Sequence, residues 1–117
     1  MKYTGSLIRE SLHDESFLNF VDNVKETKVN WEFGDGKKEE VTKIEFELGD
    51  DFVLAVVDAV SSNLKPSGFY SIVKSDFQLY VIFPNKFFAY YPKEEDVRKK
   101  AFDYAKSLNI SEKEIIF

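Results

Sequence analysis

A chain of 117 residues with 44% hydrophobic and 16% aromatic content is too apolar to stay disordered. It is long enough to bury one core, roughly 65% of its unfolded surface, without covalent staples. The absence of cysteine excludes a disulfide scaffold, a thiolate metal site and a cysteine nucleophile together. The formal net charge is −5, with three basic against seven acidic residues between positions 34 and 51, and such an excess argues against binding a phosphate backbone.

Lys2, Arg9 and Glu10 interrupt the N-terminal region, so it lacks the apolar run of a signal segment, and no stretch approaches the ~20 apolar residues of a membrane span. The expectation is a soluble, cytoplasmic protein forming a single domain over residues 1–117, with no membrane partner.

In chain order, Lys2 to Arg9 suits a first strand. Ser11 and Asp14 have the spacing of a capping box, and Phe17, Phe20, Val21 and Val24 recur at helical spacing, which predicts a short helix from about Glu15 to Val24. From Lys28 to Phe33, Val29, Trp31 and Phe33 alternate with polar residues as in a strand with one wet face. Gly34-Asp35-Gly36-Lys37 carries a hairpin signal, and its polar surroundings suggest a longer, more mobile loop than the two-residue form. The clearest strand follows at Thr42 to Leu48, with Ile44, Phe46 and Leu48 on the buried side and Lys43, Glu45 and Glu47 in solvent.

Asp50 or Asp51 is the expected N-cap of a helix from about Asp51 to Leu64, whose stripe of Val53, Val56, Val57, Val60 and Leu64 marks the central helix of the core. Pro66-x-Gly68 ends it. Phe69 to Lys74, Gln78 to Phe83 and Lys86 to Tyr91 then read as a meander of three strands with turns at Ser75-Asp76 and Pro84-Asn85. Pro92 opens the last helix, where Glu94, Glu95 and Asp96 precede Arg98, Lys99, Lys100 and Lys106, a charge order that complements the helix dipole. Asn109 fits a left-handed cap, Ser111 with Glu114 repeats a capping-box spacing, and Ile115, Ile116 and Phe117 should be tied down, as by a short edge strand. The sum is an α+β fold: a mainly antiparallel sheet with helices packed on one face, in the order β-α-β-β-α-β-β-β-α, its first six elements ferredoxin-like.

The chemistry-bearing residues are sparse. His13, the sole histidine, lies between Ser11 and Asp14, but neighbours so close in sequence are more economically read as capping than as a catalytic array. The acidic residues from Asp35 to Asp51 lack the ligand spacing of a calcium loop, and no zinc motif occurs, so neither a metal nor another cofactor is expected. Tyr70, Tyr80, Phe88 and Tyr90 could share an open sheet surface of the kind that stacks single-stranded bases. Lys74 and Lys86 alone supply nearby positive charge, which favours core packing or a protein interface over nucleic acid.

The opening Lys2-Tyr3-Thr4-Gly5-Ser6-Leu7-Ile8-Arg9-Glu10-Ser11-Leu12, the step Gly68-Phe69-Tyr70 and the segment Tyr80-Val81-Ile82-Phe83-Pro84-Asn85-Lys86 resemble a set of small bacterial proteins of about this length with no assigned activity. The resemblance implies a self-contained bacterial domain and no catalytic residue.

The reading that follows is a non-enzymatic domain that binds itself or another protein through an aromatic sheet face or edge, since nineteen aromatic residues exceed what a small core needs. The alternative is a small-molecule sensor or small enzyme with a pocket between sheet and helices, its mouth formed by Tyr70, Tyr80, Tyr90, Arg9 and His13.

Overall fold

A computed structural model describes Lys2 to Phe117 and contains strands β1 (Lys2–Ile8), β2 (Asp22–Glu32), β3 (Lys38–Gly49), β4 (Ser71–Lys74), β5 (Leu79–Phe83) and β6 (Lys86–Tyr90), with helices α1 (Val53–Asn63) and α2 (Glu95–Ser107). The strands form one antiparallel sheet in the order β2-β3-β1-β4-β5-β6. The α+β class, the antiparallel sheet and the closing meander are as the sequence predicts.

Alternation along the strands divides the apolar residues between two layers. On one face, Tyr3, Leu7, Ile44, Phe46, Leu48, Val73, Tyr80 and Ile82 pack with Val53, Val56, Val57, Val60 and Leu64 of α1. On the other, Ile8, Trp31, Val41, Val81, Phe83 and Tyr90 pack with Ala101 and Ala105 of α2 and with Ile110 and Ile115 beyond it. The two helices therefore lie on opposite faces, not on one as expected. The cause is legible in β5, where Tyr80, Val81, Ile82 and Phe83 are all buried, so both faces of that strand require cover. The aromatic excess has the same explanation, because two apolar layers hold more rings than one.

The first expected helix is replaced by a five-residue 3-10 turn, Ser16–Phe20. Backbone bonds from His13 to Asn63 (2.9 Å) and from Lys65 to Ser11 (2.8 Å) fix the preceding segment against the end of α1. β2 then begins at Asp22, leaving no length for a helix. Ser11 is buried and donates to the Ile8 carbonyl at 2.5 Å, while the Asp14 carboxylate accepts from the Ser16 amide at 3.0 Å, so neither completes a capping box. Asp50 and Asp51 form a 3-10 turn with Phe52 ahead of α1, so the N-cap position of α1 falls on Phe52 and not on either aspartate.

The Gly34–Gly36 connection is one residue longer than the two-residue form, as expected in direction, and is closed by backbone bonds. Phe33 accepts from the Gly36 amide and donates to the Lys37 carbonyl, and Gly36 takes φ +89°, as a three-residue hairpin with a left-handed glycine requires. Asn109 has φ 61° and ends α2 as predicted. The terminal residues do not form an edge strand. They make a 3-10 turn, Glu112–Glu114, and an extended tail laid over the sheet face, where Ser111 Oγ accepts from the Lys113 amide.

One packing detail sets the approach of the two central strands. Gly5 pairs with Phe46, whose ring occupies the space above the glycine so closely that a Cβ at position 5 would lie 2.4 Å from it.

Val57 is 1% exposed within the α1 layer, and a carboxylate there must stay protonated or draw in water, so Val57→Asp is expected to cost several kcal/mol and to unfold the chain or nearly so. Glu45→Ala, on a solvated face, should change stability by about 0.5 kcal/mol, and urea melts of both variants check the pair. Tyr90 is 2% exposed and its hydroxyl has no hydrogen-bond partner. Tyr90→Phe is accordingly expected to leave the melting free energy unchanged or raise it by about 1 kcal/mol, and a loss of that size would contradict the assignment.

Candidate functional site

The residues singled out by sequence do not come together. Tyr80 belongs to the α1 layer, where its hydroxyl and that of Tyr3 approach the Gln78 side-chain oxygen at 3.3 and 3.5 Å. Burial, with Tyr3 and Tyr91 nearby, raises its pKa. Tyr70, Phe88 and Tyr90 belong to the α2 layer. Phe88 is enclosed by Phe83 and Tyr104, with the Lys86 ammonium over its ring. Burial also raises the Tyr90 pKa. Arg9 pairs with Glu15 at 3.3 Å and with Glu26, and His13 is exposed on the loop that its amide fastens to Asn63. The aromatic stripe is interior, and the expected mouth of tyrosines, Arg9 and His13 is not formed.

Tyr70 instead secures the C-terminal tail. Its hydroxyl donates to the Glu114 carbonyl at 2.5 Å and accepts from the Ile116 amide at 3.3 Å. Burial pushes its pKa up to about 12, against the opposing effect of the Ile116 bond. Glu32 provides a second fastening, since its carboxylate accepts from Ser111 Oγ at 2.6 Å while its amide donates to the Glu114 carboxylate at 2.9 Å. The Ser111 bond, with Lys113 and Lys38 close by, holds the Glu32 pKa below the usual carboxylate value. Trp31 Nε1 donates to the Gly68 carbonyl at 2.8 Å and stacks on Phe69, which anchors the sheet beneath the tail.

Helix α2 and the tail cover only part of their face. Thr4 and Ser6 of β1, Lys43, Glu45 and Glu47 of β3, and Lys74 of β4 share the parity of Ile8, Val41 and Ile72, which pack in the α2 layer, but extend beyond that cover, with Ile72 at its margin. With Asn23, Val24 and Lys25 of β2 and Ile116 at the rim, they line a half-open groove of about 600 Å³. A smaller cavity of about 150 Å³, lined in part by Trp31, Tyr70 and Ile72, continues it beneath Ile116.

The groove follows from strand register. Lys25 faces Glu45, which faces Ser6, which faces Ile72; on the next rung Glu47 faces Thr4, which faces Lys74. A bulge between Asp22 and Lys25, with Asn23 at φ 52°, brings the Asn23 amide to Glu47 at 2.5 Å, and Lys2 joins the same carboxylate at 3.2 Å. These two contacts lower the Glu47 pKa, the Asn23 bond most. Lys25, Lys43 and Lys74 make no ion pair among the described residues. From strand spacing, the Cα atoms of Lys25 and Lys43 are ~8 Å apart and Lys74 lies ~16 Å from either. Sequence reading placed Lys43, Glu45 and Glu47 on a wet face but missed the groove, because nothing local indicates that β1 and β3 are neighbours.

The described residues contain no group of three or more histidine or acidic side chains placed to hold a metal ion, and no helix long and apolar enough to cross a membrane. No family model, curated protein or solved structure matches the chain.

Glu32 gives the site a pH dependence. Its folded pKa is depressed, so the stability it adds is present above the ordinary glutamate value near 4.5 and is lost as pH falls through the lower folded value. Amide exchange across residues 110–117 is expected to accelerate in that acid window in the native chain. In Glu32→Gln it should be fast already at neutral pH and less dependent on acid.

Proposed function

We propose that this protein is a non-enzymatic binding domain that uses the uncovered groove to hold an extended acidic segment of a partner protein. The observation that carries this reading is a groove in which three lysines, Lys25, Lys43 and Lys74, outnumber the two carboxylates that share it, Glu45 and Glu47, with Lys43 and Lys74 in no ion pair among the described residues and Lys25 acting on Glu47 only at a distance. One carboxylate reaching Lys25 and Lys43 and another reaching Lys74 would need the span of an extended peptide, while Thr4, Ser6 and Asn23 offer hydrogen bonds and Ile72, Val24 and Ile116 accept apolar side chains. A small molecule is less well suited. Such ligands are ordinarily 70–90% enclosed, whereas this groove is open along the sheet.

In the same reading the first four strands, in the order β2-β3-β1-β4, are a ferredoxin-like unit whose first helix has shrunk to 3-10 turns, and the protein works in the cytoplasm of a bacterium without nucleic acid as a partner.

Titration of the ¹⁵N-labelled protein with a synthetic peptide alternating glutamate and leucine is the test. Shifts are expected at Thr4, Ser6, Lys25, Lys43 and Lys74, weakened by added salt and lost in a variant with all three lysines changed to glutamate. Shifts elsewhere, or none at millimolar peptide, would overturn the proposal.

A further inference from the structure

The small cavity beneath Ile116 opens onto the groove. Ser6, Lys43, Ile72 and Ile116 line both, so a segment lying in the groove passes the cavity mouth. Beyond that mouth the walls belong to Ile8, Val29, Trp31 and Tyr70. Ile8, Trp31 and Tyr70 are buried, whereas Val29 and Ile72 keep part of their apolar surface uncovered.

Most polar groups around the cavity are already engaged. Trp31 Nε1 donates to the Gly68 carbonyl, and the Tyr70 hydroxyl bonds both the Glu114 carbonyl and the Ile116 amide. The Ser6 carbonyl accepts from Ser71 Oγ at 2.7 Å, and the Glu114 carboxylate accepts from the Glu32 amide. Leu7 and Asn30 have the opposite strand parity and border the space with their backbone. Lys43, half-buried and on the lining shared with the groove, makes no ion pair among the described residues. This distribution selects an occupant that is apolar inside and anionic at the mouth.

Size and shape narrow the apolar part. A volume of about 150 Å³ is that at which a dry protein cavity admits benzene. The rings of Trp31 and Tyr70, with centroids 6.0 Å apart and tilted by 51°, offer edge and face contacts to a third ring. We propose that the cavity anchors a phenylalanine side chain of the acidic segment held in the groove, with a carboxylate two residues away on Lys43. Side chains two positions apart in an extended peptide share one face at a spacing of roughly 7 Å, so one strand-like segment can present both. The inference rests on the acidic-segment reading of the groove, and it adds the residue that sets the segment's register.

The test uses two synthetic peptides in which glutamate alternates with serine, the central glutamate being replaced by phenylalanine in one and by alanine in the other. The pattern reads alike in either chain direction. Lys25 and Lys74 line the groove alone, and Val29 and Trp31 the cavity alone, so their signals in the ¹⁵N-labelled full chain separate the two sites. Both peptides are expected to shift Lys25 and Lys74. Only the phenylalanine peptide should shift Val29 and the Trp31 indole N–H, and it should bind roughly 10- to 100-fold more tightly, the factor for burying a phenyl group. Val29→Phe, which fills the cavity with the protein's own ring, should bind both peptides with the affinity of the alanine one, its amide spectrum verifying the fold. The native comparison decides whether or not that variant folds. Equal affinity of the two peptides for the native chain, or a preference that persists in folded Val29→Phe, would overturn the anchor and leave the groove reading standing. No shift at Lys25 and Lys74 with either peptide at millimolar concentration would overturn the groove reading and the anchor together.

Discussion

β1 is hydrogen-bonded on both sides, to β3 along its whole length and to β4 through Thr4, Gly5 and Ser6. A strand in that position has no solvent edge, and its neighbours inherit the need for cover on both faces. Every larger feature follows from this constraint. The α1 layer fills one side, while α2 and the tail close part of the other. The part left open lies where Thr4, Ser6, Glu45 and Glu47 stand in place of apolar residues. Two-sided burial is costly in sequence, since each strand must supply apolar side chains at consecutive positions, as β5 does. The chain economises by completing the second layer only over one half of the sheet.

That incomplete cover brings the tail into the functional argument. Ile115 is buried and Ile116 is exposed at the groove rim, and between them the backbone is fixed by the Tyr70 hydroxyl. Arg98 adds a bond to the Phe117 carbonyl at 2.9 Å, so the end of the chain is held from α2 as well as from the sheet. The groove wall thus depends on contacts far apart in sequence, from Glu32 in β2 to Tyr70 before β4 and Arg98 in α2.

How much of this was legible in the sequence depended on whether burial left a local mark. Thr42 to Leu48, Val53 to Leu64 and the meander carry strong periodicity because each has a buried side, and those elements were found. The first half of β2 carries none: Asp22 to Lys28 is exposed and owes its extended form to pairing with β3, so helical spacing of Phe17, Phe20, Val21 and Val24 was misleading there. The tyrosines Tyr70, Tyr80 and Tyr90 stand out in the sequence as one group, but alternation separates Tyr80 from the other two by the thickness of the sheet. Lys25, Lys43 and Lys74 are ordinary solvated residues in their own segments and become a group only through the strand order.

The contact between Gly5 and the Phe46 ring has a consequence for how such a sequence can change over generations. The two positions occupy one volume, divided as nothing on β1 and a large ring on β3. Position 5 can acquire a side chain only if position 46 gives up part of its ring, and a smaller residue at 46 leaves a void in the α1 layer unless position 5 fills it. Descendants of this sequence should therefore explore the two sites together, with the sum of their volumes held near constant while each identity drifts. Such a correlated pair would mark the central strand register in distant relatives after the surface charges had changed beyond recognition.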